Sequence, residues 1–129
     1  MKENPWFDYA SEDIKAAEIL YNQGIYRLAS FHAQQAVEKA LKGLLWRLHI
    51  NPPRVHDLAI LYHKVREHYP NVCLSLDDLE FLSGIYLESR YHADFGLLPK
   101  GEPAESDTRR LLEIVQGILH TIWETLQSQ

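Results

Sequence analysis

Apolar side chains recur every three or four positions along almost the whole of this chain. Trp6, Ala10, Ile14, Ala17 and Leu20 make the first such run, the spacing of a helix that buries one face. Asn4-Pro5 sets a cap residue before a proline at the first helical position, and Gly24 closes the run. A second helix is predicted from Ile25 to about Leu48, with Ala29, Ala33, Ala36, Val37, Ala40, Leu41, Leu44, Leu45 and Leu48 on one side. Asn51-Pro52-Pro53 stops it. A third, from His56 to about His68, turns Leu58, Leu61, Tyr62 and Val65 inward, and Pro70 lies beyond its end. Ser75 with Asp78 three positions on marks the start of a fourth, which carries Leu79, Leu82, Ile85 and Tyr86. A loop is expected from Arg90 to Pro103. The last helix, from about Ala104 to Gln127, has a stripe of Leu111, Val115, Ile118, Ile122 and Leu126, widened by Leu112, Leu119 and Trp123.

No stretch alternates over more than a few residues, so a sheet is not expected. The pattern predicts an all-α fold, an up-and-down helical bundle of four long helices plus one shorter helix, in a single domain over 1–129. With 46% hydrophobic and 24% charged residues the chain can bury a core, which excludes disorder as its general state. A net charge of -5 speaks against a general polyanion-binding surface. It leaves room for a local basic patch, because Lys39, Lys42, Arg47 and Arg54 lie close in sequence. The single Cys73 excludes an intrachain disulfide and a cysteine zinc site, and is expected to be a small buried or half-buried side chain. No window approaches the ~18–20 apolar residues that cross a bilayer, and the polar start MKENPWFDYASED holds no signal run. A cytoplasmic protein with no membrane association is expected.

Familiar catalytic signatures are missing: no glycine-rich phosphate loop, no His-Glu-x-x-His, no nucleophile elbow. The seven His are scattered, and although His56 and His63 could share a helical face, two His do not make a metal site. No cofactor is expected. Two segments hold the candidate chemistry. On the second helix Gln34, Glu38 and Lys42 follow at intervals of four, with Gln35, Lys39 and Trp46 beside them. Periodicity reads this strip as a solvated face with a Glu38–Lys42 pair of ordinary surface strength. Phe31 and Trp46 at its ends argue instead that another helix or another subunit covers part of it. The second segment, YLESRYHADF at 86–95, crowds Glu88, Arg90, Tyr91, His92 and Asp94 together. Arg offers a planar fork for phosphate, His exchanges a proton near neutrality, and Asp can orient either. A structural alternative pairs Arg90 with Asp94 or Glu88 to lock the loop.

Together these segments resemble the HEPN family (higher eukaryotes and prokaryotes nucleotide-binding domain). The resemblance rests on FHAQQAVEKALKGLL at 31–45, on His56-Asp57-Leu58 opening the third helix, and on Tyr86, Arg90, Tyr91 and Asp94. Trp6, Ala10 and Asp13 fit the family's first helix, so the likeness spans essentially the whole chain. It implies an all-helical domain. Many members resemble RNA-cutting toxins, in which Arg, four to six residues and then His make a metal-independent ribonuclease cleft across a dimer. This chain departs from that spacing, since one residue separates Arg90 from His92. Arg27 and His32 have the nominal spacing but lie early in the second helix, about 140° apart around it. The chain is more similar to small stand-alone members that pair with a minimal nucleotidyltransferase in systems resembling toxin–antitoxin pairs. That likeness implies a homodimer, a nucleotidyltransferase partner, and binding of a nucleotide or RNA. Lys39, Lys42, Glu38, Arg90 and Tyr91 are the implied nucleotide- or partner-binding positions. Arg90, His92 and Asp94 are the catalytic candidates if the chain cuts RNA.

Overall fold

The computed structural model describes residues 3–91 and 103–128, and for 86–91 it describes the helical backbone alone. Within these residues the chain forms α1 (Pro5–Asn22), α2 (Tyr26–Arg47), α3 (Leu58–Arg66), α4 (Leu76–Tyr91) and α5 (Glu105–Gln127), with no strand. The helix starts follow from local chemistry. Asn4 Oδ1 accepts the backbone N–H groups of Trp6 and Phe7 at 3.1 and 3.3 Å, leaving Pro5 at a position that needs no donor. Asp57 caps α3 through the N–H of Ile60, and Ser75 caps α4 through the N–H of Asp78. Ala104, which has no side-chain acceptor, begins α5; the Asp107 carboxylate takes its N–H at 2.9 Å.

Gly24 and His49 end the two long N-terminal helices in the same way. After α1, the Ile25 N–H reaches back to the Leu20 carbonyl and Gly24 sits at φ 77°. After α2, the Ile50 N–H reaches the Leu45 carbonyl and His49 sits at φ 62°. Both are left-handed caps that satisfy the last carbonyls. Glycine takes that conformation freely, whereas histidine does so against its Cβ.

α2 is the centre of the bundle and packs against all four other helices. Its alanines (29, 33, 36 and 40) are fully buried and allow close approach, while Leu41, Leu44 and Leu45 fill the wider part. The tightest approach is at Gly43. A Cβ there would lie 2.4 Å from the ring of Phe7, and the Gly43 carbonyl accepts from Asn4 Nδ2 at 3.1 Å. Two tyrosines tie loops to this core. Tyr62 Oη donates to the Val72 carbonyl and accepts the Leu74 N–H, and Tyr69 Oη donates to the Leu44 carbonyl.

The bundle of four longer helices and one shorter is as the periodicity implies, and the inward stripe of α5 is buried at Leu111, Leu112, Val115, Ile118, Leu119 and Ile122. Three local expectations are corrected. α4 continues through Tyr91, so Arg90 lies in its last turn and does not open a loop. α3 is shorter than its apolar pattern at both ends, because Asp57 caps it late and Glu67 ends it early. Cys73 is exposed, since it sits in the connection between α3 and α4, outside the core. No helix among the described residues is long and apolar enough to cross a membrane.

Candidate functional site

The polar strip of α2 is not a solvated face. Gln34, Glu38 and Lys42 are buried, and Ser30 extends the same line by one more turn. The covering element is α1, whose own inward face includes an acid, Asp13, between Ala10 and Ala17. One helix therefore presents a carboxylate where the other presents lysines, and the interface between them is charged as well as apolar.

Two carboxylates organise this interface. Asp13 accepts from Lys39 Nζ at 2.5 Å on one oxygen and from His32 Nδ1 at 2.8 Å on the other. Glu38 accepts from Lys42 Nζ at 3.2 Å and from His56 Nδ1 at 3.0 Å. Each acid thus holds one lysine and one histidine, and in both cases it is the Nδ1–H of the imidazole that donates. That bond fixes the ring's orientation and its tautomer. The rings of α1 cover the lysines: Lys39 Nζ lies 5.9 Å from the Tyr9 centroid and Lys42 Nζ lies 5.6 Å from that of Trp6. Trp6 and Tyr9 meet edge to face at 6.4 Å, so the two clusters share one aromatic cover.

Exposure separates the members. The Glu38 and Lys42 side chains are 4% and 7% exposed, whereas the His32, Lys39 and His56 side chains are 33%, 26% and 55% exposed. Glu38 and Lys42 support the site from beneath. His32, Lys39, His56 and the half-exposed Tyr9 are the groups solvent reaches. Further along the strip, Ser30 and Thr108 of α5 pair at 3.1 Å. Gln34 accepts from Gln35 Nε2 at 2.8 Å, while its own Nε2 is buried with no hydrogen-bond partner among the described residues.

Of the positions singled out by sequence, Lys39, Lys42 and Glu38 are brought together at the α1–α2 interface. The side chains of Arg90 and Tyr91, and all of His92 and Asp94, lie outside the described residues. Asp13, His32 and His56 complete the clusters, and sequence reasoning gave none of them a role there. An acid on the apolar face of α1, level with small alanines, is the signal that could have found the first. Among the described residues no three of His, Cys, Asp and Glu converge as metal ligands would.

The chain belongs to the HEPN family: the HEPN domain model matches residues 4–126. It is 28% identical to Putative toxin MJ1304 of Methanocaldococcus jannaschii, over 93% of this chain and 85% of that protein. Two crystal structures share the fold. TT1696 from Thermus thermophilus superposes with a TM-score of 0.78 at 25% identity, covering 94% of this chain and 95% of that one. ST0689, an archaeal HEPN homologue, gives 0.71 at 28% identity, covering 96% and 98%.

Proposed function

We propose that this chain is the toxin-like member of a two-component system, a HEPN homodimer that binds a small nucleotidyltransferase and a nucleotide. The observation that carries the reading is the pair of carboxylate-centred clusters at the α1–α2 interface. Buried ion pairs are poor sources of stability, because desolvation offsets most of their attraction. One such pair, Glu38–Lys42, lies beneath His56, and the partly buried Asp13 holds Lys39 and His32 at the rim, which fits a surface that must keep polar groups at fixed positions for a ligand. The likeness, over most of both chains, to a protein named as a putative toxin supports the toxin role. Exposed Tyr9 beside Lys39 suits a nucleobase next to its phosphate.

The test is co-expression with a small nucleotidyltransferase, followed by measurement of native mass and of ATP and GTP binding by calorimetry. A dimeric mass, a stable complex and growth arrest relieved by the partner are expected, with Lys39→Ala weakening nucleotide binding. A monomer with no affinity for the nucleotidyltransferase or either nucleotide would sink the reading.

A second reading is a metal-independent ribonuclease that uses Arg90 and His92, with Asp94 orienting one of them. Its support is the likeness to a protein named as a putative toxin, and the backbone of Arg90 belongs to the last turn of α4. It predicts RNA cleavage without added metal that is lost in both R90A and H92A.

A further inference from the structure

We propose that the groove between the start of α4 and the middle of α5 is a docking site for an arginine side chain of a protein partner. Asp78 and Glu113 take the guanidinium, and Gly117 lies beneath the aliphatic stem.

Gly117 is the first sign. It stands in the middle of α5, where glycine is the least favourable residue other than proline. Gly43 on α2 is explained by the Phe7 ring packed on it, but a Cβ at Gly117 would meet nothing within 4 Å. The fold itself therefore gives no reason for a bare backbone at this exposed position. Gly117 also lines a cavity of about 260 Å³, together with Leu74, Asp78, Glu113, Ile114 and Ile118. That volume is below the roughly 300–1,000 Å³ of pockets that enclose a small molecule, and suits one inserted side chain. A glycine with no neighbour of its own, on the wall of such a cavity, fits close approach by a group from outside the chain.

Charge names the group. Asp78 is half-buried and Glu113 is exposed, and neither carboxylate has an ion-pair or hydrogen-bond partner among the described residues. Asp77 and Glu80 add negative charge to the same end of α4. The arginines closest in sequence to Glu113 are already engaged: Arg109 pairs with Glu105 at 3.4 Å, and Arg110 lies over the Phe81 ring at 4.8 Å. The second contact also shows what fits between these helices. Phe81 follows Asp78 by three positions and Arg110 precedes Glu113 by three, so one turn along the chain bridges α4 and α5 with its own arginine. At Asp78 and Glu113 it supplies none. Arginine suits the place better than lysine, because its planar fork serves two carboxylates on different helices while its stem covers Ile114 and Gly117.

The groove shares no residue with the α1–α2 clusters, so this proposal and the toxin reading fail independently. The chain's only cysteine supplies the readout, because Cys73 is exposed and lines the same cavity. Alkylation of Cys73 by N-ethylmaleimide is followed on the full chain, with and without a short capped peptide that carries one arginine between leucines. The arginine peptide is expected to slow alkylation saturably, a lysine version to do so with weaker affinity, and a norleucine version not at all. D78N and E113Q are each expected to weaken the peptide about three- to tenfold. G117L, which fills the cavity, is expected to abolish protection by the peptide. G117A is expected to raise Tm by about 3–5 °C, since the helix gains a better former and no neighbour is crowded. A fall in Tm for G117A would overturn the proposal, because the glycine would then serve the fold. So would absence of protection, equal protection by the arginine and norleucine peptides, or protection unchanged when Asp78 and Glu113 are replaced together. Protection of Cys73 that grows with protein concentration in the absence of peptide would give the groove to a second copy, and would overturn it as well.

Discussion

The Asp13 and Glu38 clusters have the same composition and different depths. Each is a carboxylate between a lysine and a histidine, yet Asp13 keeps partners that are a quarter to a third exposed while Lys42 is almost fully enclosed. Depth decides what removal of the acid does. Water can solvate Lys39 once Asp13 is gone, but the Lys42 ammonium would stay enclosed against the Trp6 ring with its counter-charge removed. One motif is thus a rigid internal support at one site and an adjustable surface group at the other.

Three variants test this contrast. Glu38→Ala should cost about 3–5 kcal/mol in urea unfolding, because it strands a buried cation. A double variant, Glu38→Leu with Lys42→Met, should recover most of that loss, since apolar groups of similar volume often replace a buried pair without penalty. If the double variant is as unstable as the single one, the cluster's depth is not the cause. Asp13→Asn should cost less, about 1–2 kcal/mol, by weakening hydrogen bonds whose donors can turn to water. A loss equal to that of Glu38→Ala would erase the distinction between the two sites.

The third carboxylate, Glu105, supplies the exposed limit. It accepts the Tyr21 hydroxyl, and this bond raises the tyrosine pKa above 10.0, helped by burial and by the negative charge of Glu105. The folded chain therefore holds that proton more tightly than the unfolded chain does. Its contribution to stability is complete below pH 10.0 and is lost as pH rises from there through the folded-state value. Tyr21→Phe should lower stability slightly across the neutral region and flatten the fall above that pH, so that variant and parent converge in alkali, as thermal melts across alkaline pH would show.

The architecture was legible because it rests on local signals. Asn4-Pro5, Ser75 and the period of the apolar stripes each act within a few residues. The candidate site was legible in part. Lys39, Lys42 and Glu38 stood out as a charged strip, but their burial depends on α1, whose Asp13 lies 26 residues from Lys39. Periodicity assigns polar positions to water by default, and cannot see a second helix that supplies the matching charge. Glu38 and His56 are similarly joined by the fold across 18 residues. The apolar face of α2 needs no such partner to be recognised, since its own spacing marks it for burial.

Phe7 seated against Gly43, with Asn4 fastened to the same residue, has a consequence for assembly of the native state. α1 and α2 are joined by a short turn, so the loop closed by docking them is small and its entropic cost is low. The ring fits at one register of the helical pair, because α2 has no second glycine. Sliding α1 by a turn would lose that seat and also move Asp13 away from Lys39 and His32. Steric fit and charge thus vote for the same alignment, and this helical hairpin can select its native register before the remaining three helices close around it.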